Sequence, residues 1–318
     1  MKLKEIIKEG VKERQWIIKD LIPQGEIIIL YAPTNQYKTF FSLKIALEIV
    51  TGSQELGITK FGKVTIYSPD TGIEDLILRI RGLKDAKYRD QKKNILECLD
   101  LDFDQFDLTQ DHRIDEDNEI WTWSDIGQFS LDKESEKDID CSLLIIDTLS
   151  QSIGSNGVND DKSMREVFIN LKKIIKGSNN FCSILLIAHA GKNGSKGIMG
   201  SSIQKNDVPT VLKIKKKKAN QMELYREKIK SKLEGSSIPF KMRETAIDDQ
   251  ETLYVDIGSS LNEFENQIVS STKLGNSKEE TKEILYKLRI ANTTTRKSFN
   301  TVFNRSWKKL ADMGFFCI

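Results

Sequence analysis

Residues 26–50 read EIIILYAPTNQYKTFFSLKIALEIV. The run Ile27-Ile28-Ile29-Leu30-Tyr31 is apolar and rich in β-branched side chains, and it breaks at Ala32-Pro33, which predicts a short buried strand. From Lys38-Thr39 onward Phe40, Leu43, Ile45, Ala46, Leu47 and Val50 recur at spacings near three and four, the period of a helix with a buried face. Strand, eight-residue loop, Lys-Thr and helix is the layout of a phosphate-binding loop, usually written G-x-x-x-x-G-K-[ST]. Here the loop is APTNQYKT, with Ala32 in place of the first glycine and Tyr37 in place of the second. As a pattern it fails. Its chemistry rests on backbone N–H groups and a helix N-terminus rather than on glycine side chains. Pro33 removes one donor early in the loop, and Asn35 tolerates a left-handed backbone better than most residues. Tyr37 must turn its ring away from the phosphates.

Working outward, residues 1–20 read as an amphipathic helix, with Leu3, Ile6, Ile7 and Val11 on the face that packs on the core or on a neighbouring subunit. Pro23 and Gly25 make a turn before the first strand. Beyond the loop helix, Thr51-Gly52 is a helix stop, and Val64-Thr65-Ile66-Tyr67 is a second strand running into Ser68-Pro69-Asp70-Thr71-Gly72. A helix resumes from Glu74 to Arg81. Strands alternating with helices argue for βαβ units and a parallel sheet, whose ligands sit beyond the carboxyl ends of the strands, where Asp70 falls. That carboxylate either activates a water or simply forms the turn. Residues 100–140 are acidic, hold Trp121 and Trp123, and read as solvated surface with no assigned chemistry.

Cys141-Ser142-Leu143-Leu144-Ile145-Ile146-Asp147-Thr148 is a buried strand ending in Asp, the arrangement that holds Mg²⁺ beside a nucleotide in phosphate-loop proteins. A helix from about Lys162 to Lys176 follows, then the strand Ser183–Ala188 ending at His189. At the carboxyl edge of a third strand, His189 faces the same crevice as Lys38, Asp70 and Asp147. The glycine-rich stretch after it carries Lys192 and Lys196 and suits a backbone-exposed contact with phosphates. From Val211 the pattern turns to antiparallel strands. The run Lys215-Lys216-Lys217-Lys218 reads as a solvated edge strand, since lysine blunts edges against pairing, with a nucleic-acid or inter-subunit role as the alternative.

Residues 259–276 are polar and read as a linker. Ser277-Lys278-Glu279-Glu280 is a capping box opening a helix with Ile284, Leu285 and Leu288 inward. A second helix places Phe299, Val302, Phe303, Trp307 and Leu310 inward and Arg296, Lys297, Asn300, Asn304, Arg305 and Lys308 outward. This 277–318 module resembles a winged helix without room for a wing, and an α-helical docking appendage fits the pattern equally.

Composition bounds these readings. The 318 residues are 38% hydrophobic and 30% charged with a net charge of +2, an ordinary core-forming balance in which nucleic-acid affinity must come from local patches. Four scattered cysteines without a C-x-x-C pair argue against a zinc site or a disulfide framework and fit a reducing cytoplasmic setting. No apolar run approaches the roughly 20 residues of a membrane span.

Taken in order, W-I-I-K-D-L-I-P-Q-G (16–25), the phosphate loop, L-L-I-I-D-T-L-S, I-A-H-A-G-K followed by G-S-S, and the basic pair in Glu227-Lys228-Ile229-Lys230 resemble the RepA-like branch of the RecA/DnaB superfamily, the hexameric replicative helicases of plasmids and phages. The resemblance covers residues 14–257. It implies an α/β, RecA-like P-loop NTPase core (21–258) with a mostly parallel sheet plus antiparallel C-terminal strands, followed by the small helical appendage. It further implies ATP and Mg²⁺ as cofactors, with Ala32, Pro33, Thr34, Asn35, Gln36, Tyr37, Lys38, Thr39 and Phe40 around the nucleotide and Thr39 and Asp147 on the metal. Lys38 would contact the β- and γ-phosphates, Asp70 stands where the family usually has a catalytic glutamate, and His189 matches a γ-phosphate sensor. Lys228 and Lys230 match the K-x-R fingers that reach a neighbouring subunit's nucleotide. The loops at 149–161 and 190–202, with Lys192, Lys196, Ser201 and Ser202, match those lining a channel for single-stranded DNA. Partners implied are single-stranded DNA, further copies of the chain in a ring of six, and a replication initiator or primase. Four features depart from the family: the two missing glycines, Asp70 for Glu, Lys230 for Arg, and A-H-A for H-H-T.

Overall fold

The structure is a computed structural model, and it describes residues 13–69, 71–89, 95–102, 107–115, 117–132, 141–154, 157–191, 197–200, 206–218, 221–257, 268, 271–272, 276–289 and 296–312. The chain divides into two compact units, Met1–Ile257 and Gly258–Ile318.

The first unit is α/β. Its chain order is β1 (Trp16–Ile18), β2 (Ile22–Pro23), β3 (Ile27–Ala32), α1 (Lys38–Thr51), β4 (Gly62–Tyr67), α2 (Ile73–Lys87) and β5 (Leu99–Asp102). Next come β6 (His112–Ile114), β7 (Ile120–Thr122), α3 (Trp123–Asp132), β8 (Cys141–Ile146), α4 (Asp161–Gly177) and β9 (Cys182–His189). The unit ends with β10 (Thr210–Lys218), β11 (Gln221–Lys228), β12 (Ser237–Ile247) and β13 (Gln250–Asp256). Nine strands form one sheet in the order β13-β12-β11-β10-β3-β9-β8-β4-β5. From β10 to β5 neighbouring strands are parallel, and from β10 to β13 they are antiparallel.

The apolar runs follow from burial on both faces, as parallel sheets require. Ile28, Leu30, Val64, Ile66, Leu143, Ile145, Leu185 and Ile187 share one cluster with Phe41, Ile45 and Ile49 of α1 and with Leu76 and Ile80 of α2. Ile27, Ile29, Tyr31, Tyr67, Ile146 and Leu186 share the other with Met164, Val167, Phe168 and Leu171 of α4. This arrangement sends β3, β4, β8 and β9 to one edge, carboxyl ends together.

Two expectations are corrected here. The described part of the 1–20 segment is not helical. Trp16–Ile18 pairs with Ile22–Pro23 in a hairpin whose turn carries Asp20 at φ 56°, because Trp16, Ile17 and Ile18 are all strand formers, Ile17 and Ile18 burying in the core and Trp16 half-buried, rather than a helix stripe. The lysine run does not blunt an edge. β10 lies inside the sheet between β3 and β11, its Leu212 and Ile214 facing the core while Lys213 and Lys215 are half-buried on the other side. Lys215 stacks on Tyr225 of β11, Nζ 3.1 Å from the ring centre, and Lys217 pairs with Glu223 at 3.1 Å.

In the second unit, α5 (Lys278–Arg289) and α6 (Arg296–Asp312) enclose Ile268, Leu285, Phe299, Phe303, Trp307 and Leu310. The capping box forms, with Ser277 N–H donating to Glu280 at 2.7 Å and Glu280 N–H to Ser277 Oγ at 3.3 Å. Ile284 and Val302 are exposed, so each helix buries a narrower stripe than its period suggests. Ile268, in the stretch read as a linker, belongs to this core. Among the described residues no helix is long and apolar enough to cross a membrane.

Candidate functional site

β3 ends at Ala32 and α1 begins at Lys38, so the five residues between them form the loop. Asn35 and Tyr37 both take left-handed backbone, each at φ 58°. Tyr37 thus adopts the conformation for which glycine is normally used, at a cost of about 1–2 kcal/mol for a residue with a Cβ. Its ring sits 6.0 Å from that of Phe40, edge to face, and both pack against the α1-side core. Phe40 in turn carries the Arg79 guanidinium of α2 over its face at 4.8 Å. The aromatic rings are therefore held by one another and by the core, leaving loop backbone and helix N-terminus to meet a ligand.

Lys38 is buried, 7% exposed, with Nζ 3.3 Å from the Pro33 carbonyl and 3.3 Å from His189 Nδ1. Burial holds its ammonium below the usual lysine value, and the Asp147 carboxylate partly offsets this. His189 closes β9 directly opposite Ala32 in register. Thr39 Oγ1 donates to Asp147 Oδ2 at 2.6 Å. The sheet thus brings Lys38, Thr39, Asp147 and His189 from three elements to one point. A hydroxyl beside a carboxylate is a hard-oxygen donor pair of the kind Mg²⁺ accepts together with waters and substrate phosphates, so these residues fit the metal. No cluster of three or more His, Cys, Asp or Glu is present among the described residues, as a site completed by phosphates and water allows.

Lys228 and Lys230 lie elsewhere. β11 runs antiparallel to β10, and Lys228 pairs with Val211, level with Ile29 in the body of β3. Lys228 Nζ donates to the Asn206 carbonyl at 3.3 Å, and Lys230 is exposed. Register therefore places Lys228 two strands from β3 and level with its middle, not among the residues gathered around Lys38. Asp70, Lys192, Lys196, Ser201 and Ser202 lie outside the described residues.

One contribution was not anticipated. The acidic segment read as bare surface holds the stretch that follows Asp147. The Asp107 carboxylate accepts from Thr109 N–H (2.9 Å), Thr109 Oγ1 (2.7 Å) and Gly154 N–H (2.9 Å), and Leu108 N–H donates to the Ser152 carbonyl (2.8 Å). Burial alone would raise the Asp107 carboxyl, but the hydrogen bonds from Thr109 and Gly154 outweigh it and hold the group below its usual value. A Cβ on Gly154 would collide with that carboxylate. Buried Asn170 of α4 donates to both the Leu108 and Gln110 carbonyls at 2.8 Å, and Trp123 Nε1 donates to Gln110 at 2.7 Å. Arg113 reaches Asp102, at the end of β5, through two hydrogen bonds of 2.6 and 3.0 Å. The local signal was Asp-Leu-Thr at 107–109, an Asx-turn pattern.

Asp107→Ala is accordingly expected to leave Gly154 and Thr109 amides without acceptors, costing about 1–3 kcal/mol. Hydrogen exchange at residues 107–110 and 148–154 should accelerate together while β3 and β9 stay protected. Unchanged exchange at Gly154 would show that Asp107 does not hold this stretch.

A family model described as AAA domain matches residues 4–195. Among solved structures, the chain is similar to one titled "Crystal structure of the RadB recombinase" at 14% identity, with 69% of this chain and 88% of that chain covered and a TM-score of 0.46. No curated protein matches it.

Proposed function

The chain belongs to the AAA domain family, and on that premise we propose that it is an ATP-dependent DNA helicase or translocase of the plasmid or phage replication type, hydrolysing ATP between subunits of a six-membered ring and acting on single-stranded DNA. The observation that carries the nucleotide site is the convergence of Thr39 on Asp147 at 2.6 Å with buried Lys38 beside His189. In this reading Lys38 leaves His189 to bind the β- and γ-phosphates, Thr39 and Asp147 hold Mg²⁺, and His189 reports the γ-phosphate to the loop that follows it. Bound there, Mg²⁺ neutralises charge on the phosphates. Asp70, three residues beyond β4 in the sequence, orients the attacking water in this reading. Lys228 and Lys230, not among the residues gathered around Lys38 in the same chain, serve a neighbouring subunit's nucleotide in this reading, so that turnover depends on assembly. The segment after β9 carries Lys192, Lys196, Ser201 and Ser202 to the DNA.

A second reading, a non-translocating ATP-binding regulator or recombination mediator on the same fold, draws on Tyr37 held left-handed, Asp70 and Lys230. Lysine supplies charge to a transition state without the two-pronged geometry of arginine.

The deciding experiment measures ATP hydrolysis against protein concentration with and without single-stranded DNA, alongside strand displacement. The helicase reading expects specific activity that rises with protein concentration, further stimulation by DNA, and ATP-dependent displacement. A rate indifferent to both concentration and DNA would defeat it, and DNA-stimulated turnover without displacement would favour the second reading.

A further inference from the structure

We propose that Ser68 belongs to the metal site, its hydroxyl holding a water bound to the cation that Thr39 and Asp147 carry; this rests on the nucleotide-site reading above. Ser68 is fully buried, and Oγ meets no hydrogen-bond partner among the described residues, although its N–H is satisfied by the Asp102 carbonyl at 3.0 Å. A buried hydroxyl left unpaired is costly and rare in native proteins, and calls for a partner supplied from outside the chain.

The location says what that partner is. Tyr67 pairs with Ile146, and Asp147 N–H donates to the Tyr67 carbonyl at 2.9 Å, so Ser68 follows directly beside Asp147 at the carboxyl edge. Alternation along a strand gives the face. Val64 and Ile66 lie in the cluster under α1, and Ser68 continues their side; Leu143 and Ile145 do the same for Asp147, whose carboxylate meets Thr39 of α1. Ser68 Oγ therefore shares a face and a sheet edge with the two oxygens expected to hold the cation. Mg²⁺ keeps several of its waters when few protein ligands bind it directly, and each such water donates outward and needs an acceptor in the wall around it, which a serine hydroxyl oxygen can be.

Among the described residues the other orphaned buried hydroxyl, Ser142, supplies a control. It pairs with Lys63 and Cys182 near the start of β8, well away from that edge. Thermal melts of wild type, Ser68→Ala and Ser142→Ala would be recorded alone, with a non-hydrolysable ATP analogue in chelator, and with that analogue over a Mg²⁺ titration. Both variants alone should melt about 2–4 °C higher than wild type, because each loses an unpaired buried hydroxyl. The Mg²⁺ concentration giving half of the metal-dependent stabilisation should rise about tenfold or more in Ser68→Ala and stay unchanged in Ser142→Ala. Wild type responding to Mg²⁺ with Ser68→Ala following the same curve would overturn the assignment alone. Wild type gaining no stability from analogue and Mg²⁺ would remove the nucleotide reading and Ser68's role with it.

Discussion

Lys38→Ala is expected to weaken ATP binding by about thirtyfold or more, since truncating one partner of a buried, hydrogen-bonded charge pair typically costs about 2–5 kcal/mol. The lysine is 7% exposed and already desolvated, so the work of removing its ammonium from water is done before any ligand arrives. Its present contacts, the Pro33 carbonyl and His189 at 3.3 Å each, are weak enough to exchange for phosphate oxygens. The variant should still fold: it loses two long contacts and a buried charge together, and the Asp147 carboxylate, deprived of the nearby ammonium, keeps its hydrogen bond from Thr39. Isothermal titration with an ATP analogue and Mg²⁺ tests the first claim and a thermal melt the second. A folded Lys38→Ala protein that binds the analogue as wild type does would remove this loop from the nucleotide site. Loss of binding accompanied by loss of fold would show that the lysine is structural.

What could be read from sequence was what periodicity and local turn chemistry encode. The strand–loop–helix at 27–51 and the strand ending at Asp147 are continuous signals within one element each, and their meeting at Thr39 follows from sheet topology. The backbone of Tyr37 could not be read, because a tyrosine at φ 58° is a tertiary outcome imposed by Phe40, Arg79 and the need to enter α1. Of the helix expected over residues 1–20, the described part is instead a hairpin strand, because Trp16-Ile17-Ile18 is a consecutive apolar run rather than a helical stripe. The lysines of β10 read as an edge because the rule linking lysine to edges says nothing of which strand finally lies beside which. Segment 107–132 was illegible for a related reason. Its charges are spent on turns (Asp107, Asp115, Asp125), while its anchorage depends on Asn170 and Gly154, each more than forty residues away.

Lys44→Met should destabilise the first unit by about 3–5 kcal/mol, the cost of leaving a buried ion-pair partner alone. Lys44 lies in the middle of α1 with no exposure, and so does Glu48 one turn on; their charged groups are 3.0 Å apart. Lys44 also donates to Glu55 at 2.7 Å and to the Tyr88 hydroxyl. Tyr88 passes the bond on to Glu48 at 2.7 Å, and Leu56 N–H reaches the other Glu48 oxygen at 3.3 Å. Burial, with the Glu48 charge next, pushes the Tyr88 phenol well above its usual value, so it remains a donor. Methionine fills the lysine's volume but leaves a fully buried carboxylate with one phenol and one amide. Glu55, a third exposed, can turn to Lys87 at 3.8 Å and to water, so it does not share the penalty. The double variant Lys44→Met, Glu48→Leu removes both charges and should recover most of the loss, since buried pairs are often replaced by apolar residues at little or no cost. Urea unfolding of the two single variants and the double variant measures this as a coupling energy. Recovery in the double variant would mean that the pair selects this helix position rather than stabilising it. Equal loss in single and double variants would instead mean that Tyr88 and Leu56 depend on Glu48 as an acceptor, and that the carboxylate, not the pair, fixes α1 behind Lys38 and Thr39.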